Sequence, residues 1–326
     1  MGDTLTIARA INAALHDAMT EDPQVLMMGE DVGRLGGVFR VTDGLFDDFG
    51  ADRVIDTPLA ESGIIGTAIG LAMQGWRPVT EIQFDGFVFP AFDQITTQLA
   101  KYHARSQGRV RLPVTVRIPY GGGIGAVEHH SESPEAYFLH TAGLRVLTMA
   151  NAHDAYGLTR AAIACDDPVI LLEPKRRYWQ SGPVTRGAVA ANPWHAVTVR
   201  PGVDLTIACY GPMVHTALQA AGIAADEDGI DVEVVDLRSL SPLDVDAVTA
   251  SVRRTGRLIV VHEAPTFGGL GAELAAAVGH ACFYELEAPV LRVGAPHAPY
   301  PPARIEEHYL PDVDRVLTAI DEVRGY

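Results

Sequence analysis

The chain has 326 residues, 48% hydrophobic and 20% charged, enough apolar material for a large buried core and about the length of two domains. Its net charge of −16 argues against a nucleic-acid-binding surface or a general affinity for anionic membranes, and leaves "EPKRRYW" (173–179) as the one candidate basic patch. Cys165, Cys209 and Cys282 are widely spaced and form no CxxC. That argues against a structural zinc site or a disulfide framework and fits a reducing, cytoplasmic setting.

No signal or transit peptide is read at the start, and no apolar run reaches membrane-spanning length. "MGDTLT" matches a loose myristoylation pattern, but Leu5, Ile7, Ala8, Ile11 and Leu15 read as the face of a docked helix that ends before Pro23. "QVLMMGED" then predicts a buried strand, "DRVIDTP" a short one, and "ESGIIGTAIGLAMQG" a helix with Gly75 past its end. "RPVTEIQF" reads as a strand, "FPAFDQITTQLAKYHARS" as one helix, and "LPVTVRIPYGGG" as a strand running into glycines. "SPEAYFLHT" predicts a helix with Ser133 as N-cap and Pro134 at its first position. "LRVLTMA", "AHDAYGLTRAAIAC" and "PVILLEP" continue as strand, helix, strand.

Periodicity fades from Gln180 to Pro201, and residues 191–200 are expected to be a linker. The alternation then resumes through "DLTIACYG", "PMVHTALQAAGIAADE", "IDVEVVDLRSL", "PLDVDAVTASVRRTG", "RLIVVHEA", "GLGAELAAAVGHAC" and "APVLRVGA". The expected fold class is therefore α/β, two domains with mostly parallel sheets, over residues 1–190 and 201–326.

Two glycine clusters tempt a dinucleotide reading. "GGGIGAV" has Ala126 in the third slot of GxGxxG, and "GGLGAEL" also lacks the third glycine. Tight turns at strand ends describe both better. "GEDVG" places Glu30 and Asp31 after a buried strand, where α/β proteins bind ligands, although a solvated turn reads equally well. "EHHSESPE" holds His129 and His130, which should point different ways as adjacent residues and so chelate poorly. A histidine just before a helix start is a good place for acid–base chemistry.

Glu61 is the least expected residue. It stands in "DTPLAESGIIGTAIGLAMQG", where Gly63, Gly66 and Gly70 form a smooth stripe that would admit another backbone. A carboxylate in apolar surroundings is costly unless it is paired or protonated, so the helix reads as a close-packed interface with an acid at its end.

Those stretches, with "EIQFDGFVFPAFDQI", "EHHSESPEAYFLHTAGLRVL", "DDPVILLEPK", "DLRSLSPLD" and "YPPARIEEHYLPDVDRV", together resemble the beta subunit of thiamine-diphosphate-dependent 2-oxoacid dehydrogenases, in order over essentially the whole chain. The resemblance implies a pyrimidine-binding domain over 1–190, a transketolase C-terminal-type domain over 201–326, and a heterotetramer of two alpha and two beta chains. It implies that Glu61 hydrogen-bonds N1′ of the cofactor's aminopyrimidine and favours the tautomer that removes the thiazolium C2 proton. By the same resemblance Leu59, Gln83 and Phe87 line the ring, Phe87 departing from a common tyrosine. His130, not His129, then faces the reaction centre, with Glu30, Asp31 and His129 supporting. No "GDG" occurs, so magnesium and the diphosphate are expected on the alpha subunit. The resemblance leaves open a structural potassium ion near "ACDDP" (164–168).

The implied reaction is oxidative decarboxylation of a 2-oxoacid with acyl transfer to a lipoyl group on an acyltransferase core. A branched-chain substrate is favoured, with pyruvate or acetoin enzymes as alternatives. A non-catalytic docking subunit would need neither Glu61 nor His130. A nicotinamide-dependent dehydrogenase is disfavoured by both broken fingerprints.

Overall fold

The computed structural model describes residues 3–187, 190 and 192–326. The start of the myristoylation-like match and residue 191 of the expected linker lie outside them. The first unit spans residues up to 120 together with 137–193, and the second spans 121–136 together with residues from 194 on.

In the first unit, strands Arg145–Thr148, Val169–Pro174, Thr115–Tyr120, Arg77–Glu81, Val25–Gly29 and Val54–Asp56 lie side by side in that order, all parallel. Val25–Gly29 and Val169–Pro174 are buried along their whole length, which is why their sequences run apolar rather than alternating. Helix Ile7–Glu21 starts where the Thr6 hydroxyl accepts the Arg9 N–H, and it buries Ile7, Ile11 and Leu15. The sheet's interior carries a charge cluster. Arg117 is fully buried, bidentate to Glu173 at 2.7 and 2.9 Å and 2.7 Å from Glu81. The Tyr178 hydroxyl donates to Glu173 at 2.6 Å.

In the second unit, Leu291–Ala295, Leu258–Pro265, Leu205–Cys209 and Val232–Asp236 form a parallel sheet, with Val197–Arg200 antiparallel at its edge. Helices Met213–Asp228, Val245–Thr255, Leu270–Ala281 and Val313–Arg324 belong to it, the second and fourth capped by Asp244 and Asp312.

The expected α/β class is what the chain adopts, but four details differ from the sequence reading. The helix expected through "FPAFDQITTQLAKYHARS" is broken into a 3-10 turn at Asp85–Ala91, a π-helical turn at Gln94–Leu99 and a short helix at Tyr102–Arg105. Pro90 lies in the first piece, and Thr96 and Thr97 bond back to the carbonyls of Phe92 and Asp93, each at 2.8 Å. The stretch of faded periodicity contains strands: Ser181–Val184, before the expected linker, pairs antiparallel with Asp3–Thr6, and Val197–Arg200, within it, is an edge strand. Residues 121–136, read with the first region, cluster with the second unit. The basic patch is not one, because Lys175 is buried against Asp85 and Tyr178 is buried on Glu173. No helix among the described residues is long and apolar enough to cross a membrane.

Candidate active site

Strand Val25–Gly29 ends in the turn carrying Glu30 and Asp31, at the carboxyl edge of the sheet. Asp56, closing the neighbouring strand, accepts the Gly33 N–H at 2.6 Å and so clamps that turn. A Cβ on Gly33 would lie 2.6 Å from the Asp56 carboxylate, so a side chain there would displace the clamp. Asp31 is held at φ 58°, a left-handed conformation that Asp tolerates better than most non-glycine residues. Gln83 donates to the Glu30 carbonyl and to the Asp31 carboxylate, each at 3.2 Å.

Glu61 is the first residue of helix Glu61–Met73 and is 7% exposed. The helix N-terminus favours its negative charge. Burial pushes the Glu30 carboxyl up, and the charges of Glu61 and then Asp31 add to the shift. One oxygen of Glu30 is buried with no hydrogen-bond partner among the described residues. Acids thus converge on a place where a further donor is missing. A nitrogen heterocycle that can carry a proton, such as an aminopyrimidine, fits that donor set.

The other residues assigned to the ring stand apart. Leu59 is 81% exposed, and Phe87 packs edge-on to Phe84 with ring centroids 5.9 Å apart. Beside Glu61 lies an apolar cleft of about 450 Å³, lined by Met28, Ile55, Thr57, Pro58, Ile64 and Leu71. Its volume is in the range of small-molecule sites, but Leu59, Gln83 and Phe87 are not among its walls. Among the described residues, the glycine stripe receives no other backbone of this chain. A Cβ at Gly70 would meet nothing within 4 Å, and at Gly63 and Gly66 only side-chain atoms at 3.6 and 3.8 Å.

His129 and His130 close a 3-10 turn, Glu128–His130. Their rings do not diverge as adjacency suggested. They pack edge to face with centroids 4.4 Å apart. His129 is exposed and His130 half-buried, with His130 Nδ1 at 2.8 Å from the His129 carbonyl. The helix after them begins at Glu135, and the Ser133 hydroxyl donates to Glu263 at 3.4 Å.

Neither glycine cluster is a dinucleotide cradle. A Cβ at Gly271 would lie 2.8 Å from His262 Nε2, so that cluster makes room for a buried imidazole. The amides of the other meet protein carboxylates, Gly122 N–H donating to Glu263 at 2.6 Å. Sequence reasoning missed those carboxylates, because "HEAP" and "RIEEH" carry no motif that points to a loop far away in the chain.

The turn proposed for potassium is already supplied with cations. Arg77 donates to the carbonyls of Ile163 and Cys165, both at 3.2 Å, and to Asp166 at 2.7 Å. Arg111 also binds Asp166, and Arg145 binds Asp167 at 2.8 Å. These acceptors fit guanidinium groups rather than an alkali ion. Among the described residues, no group of three or more His, Cys, Asp or Glu is arranged to hold a metal. The three cysteines are free thiols.

The family model described as transketolase, pyrimidine binding domain, matches residues 3–180, and that described as transketolase, C-terminal domain, matches residues 195–316. The chain is 58% identical to a "Pyruvate dehydrogenase E1 component subunit beta" of Leifsonia xyli, over 99% of this chain and 96% of that one. It is 55% identical to a "3-methyl-2-oxobutanoate dehydrogenase subunit beta" of Mycobacterium tuberculosis, over 98% and 92%. A solved structure titled "Split gene transketolase, inactive beta4 tetramer" shares the fold, with a TM-score of 0.79, 24% identity and 98% of each chain covered.

Proposed function

From the premise that this chain belongs to the beta-subunit family of thiamine-diphosphate-dependent 2-oxoacid dehydrogenases, we propose that it supplies the aminopyrimidine half of an active site completed by an alpha subunit. The observation that carries the proposal is Glu61, buried at a helix start beside Glu30, whose second oxygen has no partner among the described residues. A purely docking subunit gains nothing from clustering buried acids, which cost stability unless a ligand satisfies them.

Thiamine diphosphate, when bound, supplies the nucleophilic carbon and the electron sink for decarboxylation. Glu61 would hold the proton at N1′ of its ring. Leu59, Gln83 and Phe87 would line that ring, with Glu30 and Asp31 behind it. His130 would give or take protons as the acyl group passes to lipoyl sulfur, and His129 packs on its ring. The missing GDG sequence supports leaving magnesium and diphosphate to the alpha chain.

The division we propose is a pyrimidine-binding domain over 1–190 and a transketolase C-terminal-type domain over 201–326, joined by 191–200, with 121–136 serving the second unit. The wider proposal is an alpha2beta2 assembly acting on a lipoylated acyltransferase core in the cytoplasm.

The favoured substrate is a branched-chain 2-oxoacid, and pyruvate has equal support among the relatives. A panel of 2-oxoacids assayed on the assembled complex with an artificial electron acceptor assigns it. In that assay Glu61→Gln is expected to lose roughly 10²–10⁴ in rate with assembly intact, the contribution of one positioned proton-transfer group. Activity within a few-fold of the parent would show that Glu61 is structural.

A further inference from the structure

The loop that carries His130 is stapled to its own unit by carboxylates. Its neck closes where the Gly121 N–H donates to the Glu132 carbonyl at 2.9 Å, so residues 121–132 form a compact excursion with adjacent ends. Glu263 holds the base. It accepts the Gly122 N–H at 2.6 Å and the Ser133 hydroxyl at 3.4 Å, one on each side of the neck. Glu306 holds the ascending arm, accepting the N–H groups of Gly123 at 3.3 Å and Gly125 at 3.0 Å. The Tyr300 hydroxyl donates to Glu306 at 2.8 Å and lies 3.3 Å from the Gly123 nitrogen.

The glycines are what make this possible. Gly121, Gly123 and Gly125 all take positive φ, between 71° and 84°, and the amides of Gly123 and Gly125 reach one acceptor, Glu306, while Gly122 reaches Glu263. A side chain on Gly122 would collide with the Tyr300 hydroxyl, and one on Gly121 would sit 2.8 Å from Glu263. An amide concavity of the kind that binds anionic ligands is here filled by two side chains of the same protein. Glu263, Tyr300 and Glu306 are all buried, while Gly123 and Gly125 are exposed, so buried carboxylates anchor an otherwise exposed arm from beneath. Three residues beyond Gly125, the turn Glu128–His130 begins.

We propose that Glu263 and Glu306 are positioning residues for His130, fixing through the amides of Gly122, Gly123 and Gly125 the loop that presents its imidazole to the lipoyl group. This rests on the role given to His130 above. The test uses the assembled alpha–beta enzyme loaded with thiamine diphosphate and magnesium.

In Glu306→Ala, exchange of the Gly123 and Gly125 amides with deuterium should accelerate about ten- to hundredfold, the range for losing a hydrogen bond to a charged group. Acylation of a lipoylated carrier domain should fall about tenfold more than reduction of an artificial acceptor, and Glu306→Gln, which keeps an acceptor oxygen, should recover part of it. Tyr300→Phe removes one hydroxyl and is the milder second variant if Glu306→Ala does not fold. It should give the same pattern at smaller amplitude. Unchanged exchange at Gly123 and Gly125 would overturn the staple. Accelerated exchange with equal losses in both assays would overturn the positioning role. If His130→Ala itself acylates normally, the role of His130 fails and this proposal fails with it, even where exchange reports the staple.

Discussion

Glu135 and His262 make opposite demands on pH, and replacing Glu135 should expose the imbalance. Glu135 is fully buried in the second unit, accepting the Tyr210 hydroxyl at 2.7 Å, and its other oxygen has no partner among the described residues. Burial pushes its carboxyl up from 4.5 to about 7, with the Tyr210 bond drawing it back and the Glu263 charge raising it. The folded protein therefore keeps a proton that the unfolded chain releases. The stability this contributes is complete below pH 4.5 and is lost as pH rises toward 7, a change on the order of 3 kcal/mol. His262, buried with Nδ1 2.9 Å from the Ala264 carbonyl, is lowered from 6.5 to about 4, chiefly by burial. Its contribution is present above pH 6.5 and is lost as pH falls toward 4, with a similar magnitude and the opposite slope. Between about pH 4.5 and 6.5 the two cancel. In Glu135→Gln, which keeps an acceptor for Tyr210, only the rising slope remains. Denaturant titrations of both proteins at half-unit pH steps measure this. The stability of Glu135→Gln relative to the parent should increase by about 3 kcal/mol from pH 4.5 to 7, and taking the difference removes the titrations that do not couple to Glu135. A difference constant within about 1 kcal/mol would refute the argument, showing that Glu135 ionises in the fold as it does in water.

Three further substitutions test other contacts. His130→Ala should impair lipoyl acylation more than artificial-acceptor reduction, and His129→Ala should be milder in both, losing only the edge-to-face support of its neighbour's ring. The pair of half-reactions measured on each variant checks this, and a worse defect in His129→Ala would assign the chemistry to the other imidazole. Arg117→Met should destabilise the first unit by roughly 3–5 kcal/mol, because it strands Glu81 and Glu173 without their counter-charge in the sheet interior. Thermal or denaturant unfolding reads it, and a loss under about 1 kcal/mol would mean the two acids take up protons at little cost.

Much of this was legible in the sequence because it is local. Thr6 caps helix Ile7–Glu21 where the apolar period begins, and Gly75 follows helix Glu61–Met73 with a positive φ. Glu61 stood out because a lone acid in an apolar helix needs a reason. What was hidden depends on partners distant in the chain. Glu263 and Glu306 meet glycines more than 140 positions away, so nothing around "GGGIGAV" shows that its amides are already spoken for. Lys175 and the arginines after it looked like a surface patch, since a buried lysine can be recognised only with its acid, Asp85, in view. The helix through Phe92 broke because threonine hydroxyls compete for its carbonyls, an effect that hydrophobic periodicity does not register.

We propose that this chain holds half of a cofactor site. Calorimetric titration with thiamine diphosphate and magnesium tests it, on the chain alone and on its assembly with an alpha subunit carrying the GDG motif. Binding weaker than about 100 μM is expected of the chain alone, and at least tenfold tighter binding of the assembly. A dissociation constant near 1 μM or below without any partner would contradict it.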